Sequence, residues 1–443
     1  MVTSPRVTEK DAGDEAAALC SDLIRFATVN RGEGDADPER PAAEHVAALL
    51  DEAGAEPVVV ESARGRASVL ARIAGTDPSH PAFLIHGHLD VVPAEPADWS
   101  THPFSGEIAD ADGCVWGRGA VDMKGTLAMT LAVVRRRLRE GRRTRGDLIL
   151  AFLADEECTG DFGSRYVVRE HRDLFTGCTE AISESGGFSV AAPGGRRIYP
   201  IATGERGTMW MRLTARGKAG HGSKPAPENA VAELAHAVSR LASYTWPVRI
   251  TPGVRALLDE LARALGTTID HDRLDEEARR LGTPGRLFES TIRNSANPTV
   301  LDAGYKINVV PGVAHAQVDG RYLPGTGEEF LATVDRLLGP KVTREFVNYE
   351  EAPSADPGGA TFTALADALR AEDPAAHPVP YVMGGGTDAK AFHRIGITSY
   401  GFAPLMLDAG LDYFGMFHGV DERVPVEGLR FGTRVLDRFL DTR

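Results

Sequence analysis

The chain has 443 residues, of which 42% are hydrophobic and 25% are charged, and its formal net charge at pH 7 is −14. This length and composition predict two or three domains with a substantial core, and the charge disfavours nucleic acid and anionic membranes as main partners. The first residues lack the pattern of a secretory signal, no apolar run is long enough to span a membrane, and the four cysteines are widely spaced. We therefore expect a cytoplasmic protein without disulfides.

The first part of the chain alternates between helix and strand patterns. Amphipathic spacing indicates helices, and short continuous apolar runs indicate strands. Because these strands are apolar on both faces and are separated by helices, they predict a mostly parallel sheet that is covered on both sides. The predicted helices are residues 14–29, 42–53 and 123–138, and the predicted strands are residues 82–85, 148–153 and 181–183.

The pattern changes near residue 204. Two segments with alternating apolar residues and two amphipathic helices predict a smaller α/β unit, of ferredoxin-like type, whose sheet has one solvated face. A charged, helix-like segment over residues 252–286 lies between the halves of this unit and is interpreted as an insertion. The alternating segments are residues 208–216 and 313–323, and the helices are residues 228–244 and 328–338.

From about residue 348 the first pattern returns, with a helix predicted over residues 361–370 and a buried strand over residues 398–402. The expected fold class is therefore α/β, with a mostly parallel-sheet catalytic domain that is interrupted by a lid or dimerisation domain. The predicted division is residues 1–203 and 346–443 for the catalytic domain and residues 204–345 for the inserted domain.

Histidine and acidic residues follow all three apolar runs of the first part. Because ligands bind beyond the carboxyl ends of parallel strands, these side chains are expected to meet at one edge of the sheet. A glycine-rich loop before the helix at 123–138 and a histidine near the end of the chain add two further candidates. The residues are His86, His88 and Asp90 after the first run, Glu156 and Glu157 after the second, Glu184 after the third, Asp122 in the loop, and His418.

Carboxylates that crowd together repel one another unless a cation is present. Nitrogen and oxygen donors without thiolate suit zinc, with cobalt or manganese as further choices. More ligand-type residues converge at this edge than one tetrahedral zinc can bind, so the sequence predicts two divalent metal ions.

The motifs GHLDVVP, GRGAVDMKG, DEECTGDFGSR, ISES, GHGSKP and FHGV occur in this order along the chain. In this order and spacing the sequence resembles the M20 family of metallopeptidases, which includes carboxypeptidases, aminoacylases, dipeptidases and succinyl-diaminopimelate desuccinylase. The resemblance covers nearly the whole chain and implies a metal-dependent hydrolase that cleaves an amide bond of an N-acyl amino acid or a short peptide with a free carboxylate.

The resemblance also implies a role for individual residues. His88, Asp122 and Glu184 resemble the ligands of one metal, and Glu157 and His418 resemble those of the second, with Asp122 as the bridge. A cis peptide bond is expected between Asp122 and Met123, as in members of the family.

The remaining roles concern catalysis and substrate binding. Glu156 resembles the general base, and Asp90 resembles the carboxylate that holds the imidazole of His88. His221 resembles a lid histidine that stabilises the oxyanion, often from the partner subunit of a homodimer. The residues that resemble binders of the substrate's terminal carboxylate are Asn308, Arg321 and Gly385.

Plainer interpretations stay open for these residues. Asp122 could cap the following helix, the acidic pair at 156–157 could be a solvated run, Glu184 a surface acid, and His418 a core histidine. His221 could belong to an ordinary turn. At the level of function, the alternatives are a carbamoyl-amide (ureido) hydrolase of similar fold and a relative that binds amino-acid derivatives without turnover. The insertion at 252–286 is absent from the shortest family members, so substrate preference does not transfer from them.

Overall fold

The computed structural model describes residues 12–32 and 34–443. Across this part of the chain, helices and strands alternate as the sequence predicts. The helices are α1 (Ala12–Ile24), α2 (Arg40–Glu52), α3 (Lys124–Arg139), α4 (Ser164–Glu170), α5 (Ala230–Ala242), α6 (Pro252–Leu265), α7 (Leu274–Leu281), α8 (Arg286–Glu289), α9 (Gly327–Leu338), α10 (Ala360–Glu372), α11 (Ala389–His393), α12 (Tyr413–Met416) and α13 (Val426–Leu440).

The strands fall into one large sheet, one small sheet and two short ribbons among the described residues. Their bounds are β1 (Val58–Ala63), β2 (Arg66–Ile73), β3 (Ala82–His88), β4 (Glu107–Ala109), β5 (Cys114–Trp116), β6 (Leu148–Leu153), β7 (Cys178–Ser183), β8 (Val190–Ala191), β9 (Arg197–Glu205), β10 (Gly207–Arg216), β11 (Gly220–His221), β12 (Ser295–Ala303), β13 (Val309–Val310), β14 (Val313–Tyr322), β15 (Val342–Glu350), β16 (Ala376–Met383), β17 (Thr398–Gly401) and β18 (Arg423–Pro425).

The large sheet has the order β1-β2-β6-β3-β7-β17-β9-β16, with β8 paired to β9. Its central strands β6, β3, β7 and β17 are parallel, which confirms the predicted mostly parallel sheet. Alternate residues of β3 belong to different hydrophobic clusters: Phe83 and Ile85 pack in one with α1, α3 and α13, whereas Ala82 and Leu84 pack in the other. Both faces are thus covered, which explains the continuous apolar runs.

The small sheet is antiparallel with the order β12-β14-β10-β15. Helices α5 and α9 bury the apolar face of this sheet. The chain order β10-α5-β12-β14-α9-β15, with this strand order, is the ferredoxin-like arrangement that the sequence predicts. The side chains on the opposite face, such as that of Arg212, are more exposed, as the alternating pattern indicates.

The helical insertion packs on the large sheet rather than on the small one. Helix α6 lies against β16, and Val254, Leu257 and Leu261 belong to the main hydrophobic cluster of the large sheet. The sequence could not show this, because the apolar face of an amphipathic helix does not reveal its partner. The division at residues 204 and 345 stays a prediction, and this packing favours a large domain that also includes α6 to α8.

One predicted helix is shorter than expected. α1 ends at Ile24 instead of continuing to residue 29, because the backbone of the next residues pairs with the loop after β3. Thr28 accepts from Val91 N at 3.0 Å, and Asn30 donates to Val91 O at 2.9 Å. This pairing brings Asn30 to the edge where the acidic residues gather. Among the described residues, none of the helices has the length and hydropathy that crossing a membrane requires.

Candidate metal centre

Five histidine and acidic side chains meet at one edge of the large sheet. His88 is the last residue of β3, Glu157 lies in the turn after β6, and Glu184 directly follows β7. Because β3 lies between β6 and β7 and is parallel to both, the three carboxyl ends lie side by side. Asp122 precedes α3 and His418 follows α12, so the structure brings together all five predicted metal ligands.

Their donor atoms form two groups that share Asp122. Within each group, His88–Asp122–Glu184 and Asp122–Glu157–His418, the donor atoms lie within 4.8 Å of one another. His88 Nε2 is 3.1 Å from Asp122 Oδ1 and 3.6 Å from Glu184 Oε2. His418 Nε2 is 3.3 Å from Asp122 Oδ2 and 3.2 Å from Glu157 Oε2. Each oxygen of Asp122 therefore faces a different group, as a bridging carboxylate does.

This donor set fits a pair of divalent cations. It offers imidazole and carboxylate without thiolate, which suits zinc and related metals. Glu157 Oε1 is buried and has no hydrogen-bond partner in the described part of the chain. Burial raises the pKa of Glu184 to about 8, and hydrogen bonds to Asp122 and Glu157 raise the pKa of His418 to about 10. Dications would replace the protons that these groups otherwise hold.

Glu156 lies beside the two groups without belonging to either. Its Oε2 is 3.9 Å from His88 Nε2, whereas the neighbouring Glu157 points to His418. Burial and the charge of Glu184 raise the pKa of Glu156 well above its usual range. A carboxylate in this position can exchange a proton with a water molecule at the centre.

The carboxylate of Asp90 holds the turn that carries this acidic pair. Its Oδ1 accepts from Glu156 N at 3.1 Å, and its Oδ2 accepts from Glu157 N at 3.2 Å. The imidazole of His88 is instead fixed by the main-chain oxygen of Asp90, 2.8 Å from Nδ1, while the carboxylate is 3.6 Å away. The predicted role of the Asp90 carboxylate in holding this imidazole stays a prediction.

Sequence analysis missed the buried polar side chains behind Asp90. Asn30 Nδ2 donates to Asp90 Oδ2 at 2.9 Å and to Asp155 Oδ1 at 3.0 Å. Arg66 also donates to Asp155 at 3.0 Å and pairs with Glu39 at 2.6 Å. Of these residues only Asp155 belongs to a motif, as the first residue of DEECTGDFGSR. The others lie at the start of α2, on β2 and after α1, where no local pattern distinguishes them.

A second missed pair connects the loop of Asp122 with that of His418. The buried carboxylate of Glu422 accepts from the main-chain N–H groups of Val121 at 2.7 Å and Asp122 at 3.0 Å. It also accepts from Arg118 Nη1 at 2.7 Å, and Arg118 Nη2 donates to the main-chain oxygen of His418 at 3.3 Å. Arg118 and Glu422 therefore fix the backbone at Asp122 and at His418, two members of the group Asp122–Glu157–His418.

Unusual backbone conformations coincide with the ligand positions. Asp155, Ser185 and His418 have φ values of 68°, 71° and 57°, which non-glycine residues rarely adopt. Asp155 and Ser185 adjoin the acidic pair and Glu184, and His418 is itself in a donor group. The peptide bond between Asp122 and Met123 is cis, which confirms that prediction.

A polar cavity of about 500 Å³ opens beside the centre, between the large and small sheets. Its lining includes Glu156, Glu157, His418 and two predicted substrate-binding residues, Arg321 and Gly385. Arg321 donates to Asp319 Oδ1 at 2.7 Å and to Thr208 Oγ1 at 3.1 Å. The lining also includes two cations that sequence analysis missed, Arg206 and Lys390. The sequence feature that could have indicated Lys390 is its position shortly after the GGGTD run.

The other two predicted residues lie apart from this cavity. His221 is on β11 and Asn308 directly precedes β13, and these short strands pair with each other. Asn308 O accepts from Gly222 N at 2.9 Å, and the side chain of His221 is exposed. The structure thus brings His221 and Asn308 together, but within one chain neither lines the cavity.

Two donor groups at the carboxyl edge of a parallel sheet, beside the additional acidic side chain of Glu156, are the arrangement expected of a two-metal hydrolase. The profile of peptidase family M20/M25/M40 matches residues 84–442. The chain therefore belongs to this family of hydrolases.

The relatives and solved structures agree with this assignment. The chain is 28% identical to "Probable carboxypeptidase S-like 2" of Dictyostelium discoideum over 80% of this chain and 70% of the relative. It is also 28% identical to "N-fatty-acyl-amino acid synthase/hydrolase PM20D1" of Homo sapiens over 81% of this chain and 74% of the relative. An M20 family metallo-carboxypeptidase from Sulfolobus solfataricus superposes with a TM-score of 0.70 at 19% identity, covering 97% of this chain and 99% of that one; at this identity it supports the fold alone.

Proposed function

We propose that the chain hydrolyses the amide bond of an N-acyl amino acid or a short peptide with a free carboxylate. The observation that carries the proposal is the position of Glu156, next to two donor groups that share Asp122 and at the mouth of a cavity lined by Arg321. The family supplies the reaction class, amide hydrolysis. Because the cavity is lined by the cation Arg321, we expect the substrate to carry a carboxylate.

Five residues would hold the metal pair, most simply two zinc ions: His88 and Glu184 on one side, Glu157 and His418 on the other, and Asp122 between them. Bound there, the cations supply a lowered pKa for a nearby water and polarise the amide carbonyl. Cobalt and manganese suit the same donors.

Glu156 is assigned the proton transfers. Its carboxylate accepts a proton from the attacking water and passes this proton to the leaving nitrogen. Asp90 keeps Glu156 in place through its hydrogen bond to Glu156 N. Because Glu157 is directed to His418, the two neighbouring acids serve different partners, so one can bind metal while the other moves protons.

Arg321 is assigned to the substrate carboxylate. Its guanidinium has five N–H donors, of which Asp319 and Thr208 engage three. These contacts fix the plane of the group, and the remaining donors can bind a carboxylate. Gly385 lines the same cavity and brings main chain close to the substrate.

His221 and Asn308 are assigned to the active site of a second copy in a homodimer, with the small sheet as the interface. The edge strands of this sheet carry exposed apolar side chains, including Leu301 and Phe346, and Ile307 lies beside Asn308. Light scattering at micromolar concentration is expected to give a dimer mass. A monomer mass with full activity would remove His221 from the proposed mechanism.

The proposal is tested with a panel of N-acyl amino acids, dipeptides and N-carbamoyl amino acids, assayed after loading with zinc, cobalt or manganese. Hydrolysis of acyl or peptide substrates is expected, together with loss of activity when the substrate carboxylate is converted to an amide. Cleavage confined to N-carbamoyl compounds would assign the chain to ureido hydrolysis. Binding of panel members without turnover under any metal would contradict the enzyme assignment.

A further inference from the structure

A second cavity, of about 570 Å³, also adjoins this centre. It shares Glu156, Glu157, His418 and the glycine run at 384–386 with the polar cavity. It also includes the candidate ligands Asp122 and Glu184, and it differs from the polar cavity in its many aromatic and thioether side chains. These apolar lining residues are Phe188, Tyr381, Met383, Phe414 and Phe417.

The helical insertion forms one wall of this apolar cavity. Arg286, Glu289 and Ser290, on α8 and directly after it, belong to the lining. Leu287 and Phe288 of the same helix are fully buried in the main hydrophobic cluster, so the wall is anchored rather than loose. Ser290 also lies close to the glycine run, since a Cβ at position 384 would come within 2.6 Å of Ser290 Oγ.

Arg286 closes the outer end of the cavity. Its guanidinium lies 5.0 Å from the centroid of the Phe414 ring and 3.2 Å from Asp412 Oδ1. A smaller cavity of about 290 Å³ continues beyond it and shares Phe188, Arg286 and Phe414 with the first. A chain longer than the inner cavity can therefore continue past Arg286 once this exposed side chain turns away.

We infer that the aromatic side chains of this cavity, together with the wall at residues 286–290, form a pocket for a bulky apolar acyl group, and that the chain prefers N-acyl amino acids with medium-length or aromatic acyl groups over N-acetyl ones. This inference rests on the proposed function. A substrate whose carboxylate binds beside Arg321 has its amide at Glu156, and its acyl half then extends into the apolar side. The volume is within the usual range for small-molecule sites and far exceeds what an acetyl group fills.

The expected preference follows from apolar burial. Each methylene group that leaves water contributes about 0.8 kcal/mol, which corresponds to roughly fourfold in kcat/KM. Because packing is never complete, we expect a gain of at least about 50-fold in kcat/KM from acetyl to octanoyl on one amino acid.

The test is the ratio of kcat/KM for N-octanoyl and N-acetyl derivatives of one amino acid, measured on the metal-loaded protein. Ser290→Trp places an indole in the cavity, and this variant should lower the ratio at least about tenfold. Glu289→Trp, on the same wall, should act in the same direction and serves if Ser290→Trp does not fold. Asp259→Trp adds the same indole on the exposed side of α6 and should leave the ratio unchanged.

Inhibition of the unmodified protein by alkanoic acids gives a second measurement that needs no variant. Octanoate should inhibit at least about tenfold more strongly than acetate. A ratio near one in the unmodified protein, or one that neither wall variant changes, overturns the acyl pocket while leaving the proposed hydrolysis intact. If no N-acyl amino acid or peptide is hydrolysed at all, the proposed function fails and the acyl pocket fails with it.

Discussion

Glu422 is not itself a candidate ligand, but Glu422→Gln is expected to weaken metal binding by the group Asp122–Glu157–His418, because Glu422 holds the backbone of this group in place. Its carboxylate accepts from Arg118, Gly119, Val121 and Asp122. Glutamine keeps the shape but replaces one acceptor oxygen by an NH2 group, which would face either Arg118 or the main-chain N–H groups. In either orientation the NH2 group of the glutamine faces an N–H donor of the protein, so a hydrogen bond is lost.

The magnitude follows from burial. The side chains of Arg118 and Glu422 are 4% and 0% exposed, and removal of one partner of a buried ion pair costs about 3–5 kcal/mol in unfolding free energy. Since glutamine retains one acceptor, about 3 kcal/mol is expected. Partners of metal ligands also change metal affinity about 10- to 100-fold, so the group of Glu157 and His418 should bind its cation at least tenfold more weakly.

Denaturant unfolding of the metal-free protein gives the first quantity, and titration calorimetry with zinc gives the second. The matched control is Asp437→Asn, which breaks a pairing with Arg137 at 2.8 Å between α13 and α3, away from the donors. It should lower stability and leave both metal affinities unchanged. If Glu422→Gln is destabilised but binds two cations as tightly as the control, the pair supports the fold alone and the reasoning is refuted.

Further predictions concern the donors themselves. Glu156→Gln should retain two metals while kcat falls about 10² to 10⁴-fold, whereas Glu157→Gln should lose the second metal; the reverse pattern in metal analysis would exchange the two roles. In the metal-free protein the pKa of Glu184 is raised to about 8 and that of His418 to about 10, so both groups hold protons at pH 7. The nearby carboxylates of Glu184 and Asp122 also hold the pKa of the His88 imidazole well above its usual range, so metal uptake should release at least about two protons per chain and weaken as the pH falls. Calorimetry in buffers of different ionisation enthalpy measures this release, and zero release would contradict the raised pKa values.

The parallel sheet and the five donors were accessible to sequence analysis for the same physical reason. A strand buried on both faces is largely apolar, so its end is visible where histidine and acidic residues begin, as in the segments that contain His88, Glu157 and Glu184. Parallel order then brings such ends to one edge. The alternating residues of β10 and β14 likewise indicated a half-buried antiparallel sheet, and the structure has that sheet.

The residues that sequence analysis missed act through long-range contacts. Glu422 is about 300 positions from Asp122, whose amide it accepts, and Asn30 is 125 positions from Asp155. Neither lies at a strand end or in a periodic pattern, so only the folded backbone reveals the partner. The same holds for α6: a helix-like insertion was predicted there, but its packing on β16 was not.

The polar cavity and the apolar cavity next to the centre are lined by different parts of the chain. The donors all lie at the strand ends or in the loops of the part of the chain that forms the large sheet, and this part carries the chemistry common to the family. The polar cavity takes Arg321 and Asp319 from the small sheet, and the apolar cavity takes Arg286 from α8 and Ser290 directly after it. Neither the small sheet nor the wall at residues 286–290 contains a candidate metal ligand, so substitutions there can occur without moving a donor atom. Substitutions in this wall can therefore change the selectivity for the acyl group while the metal ligands stay the same.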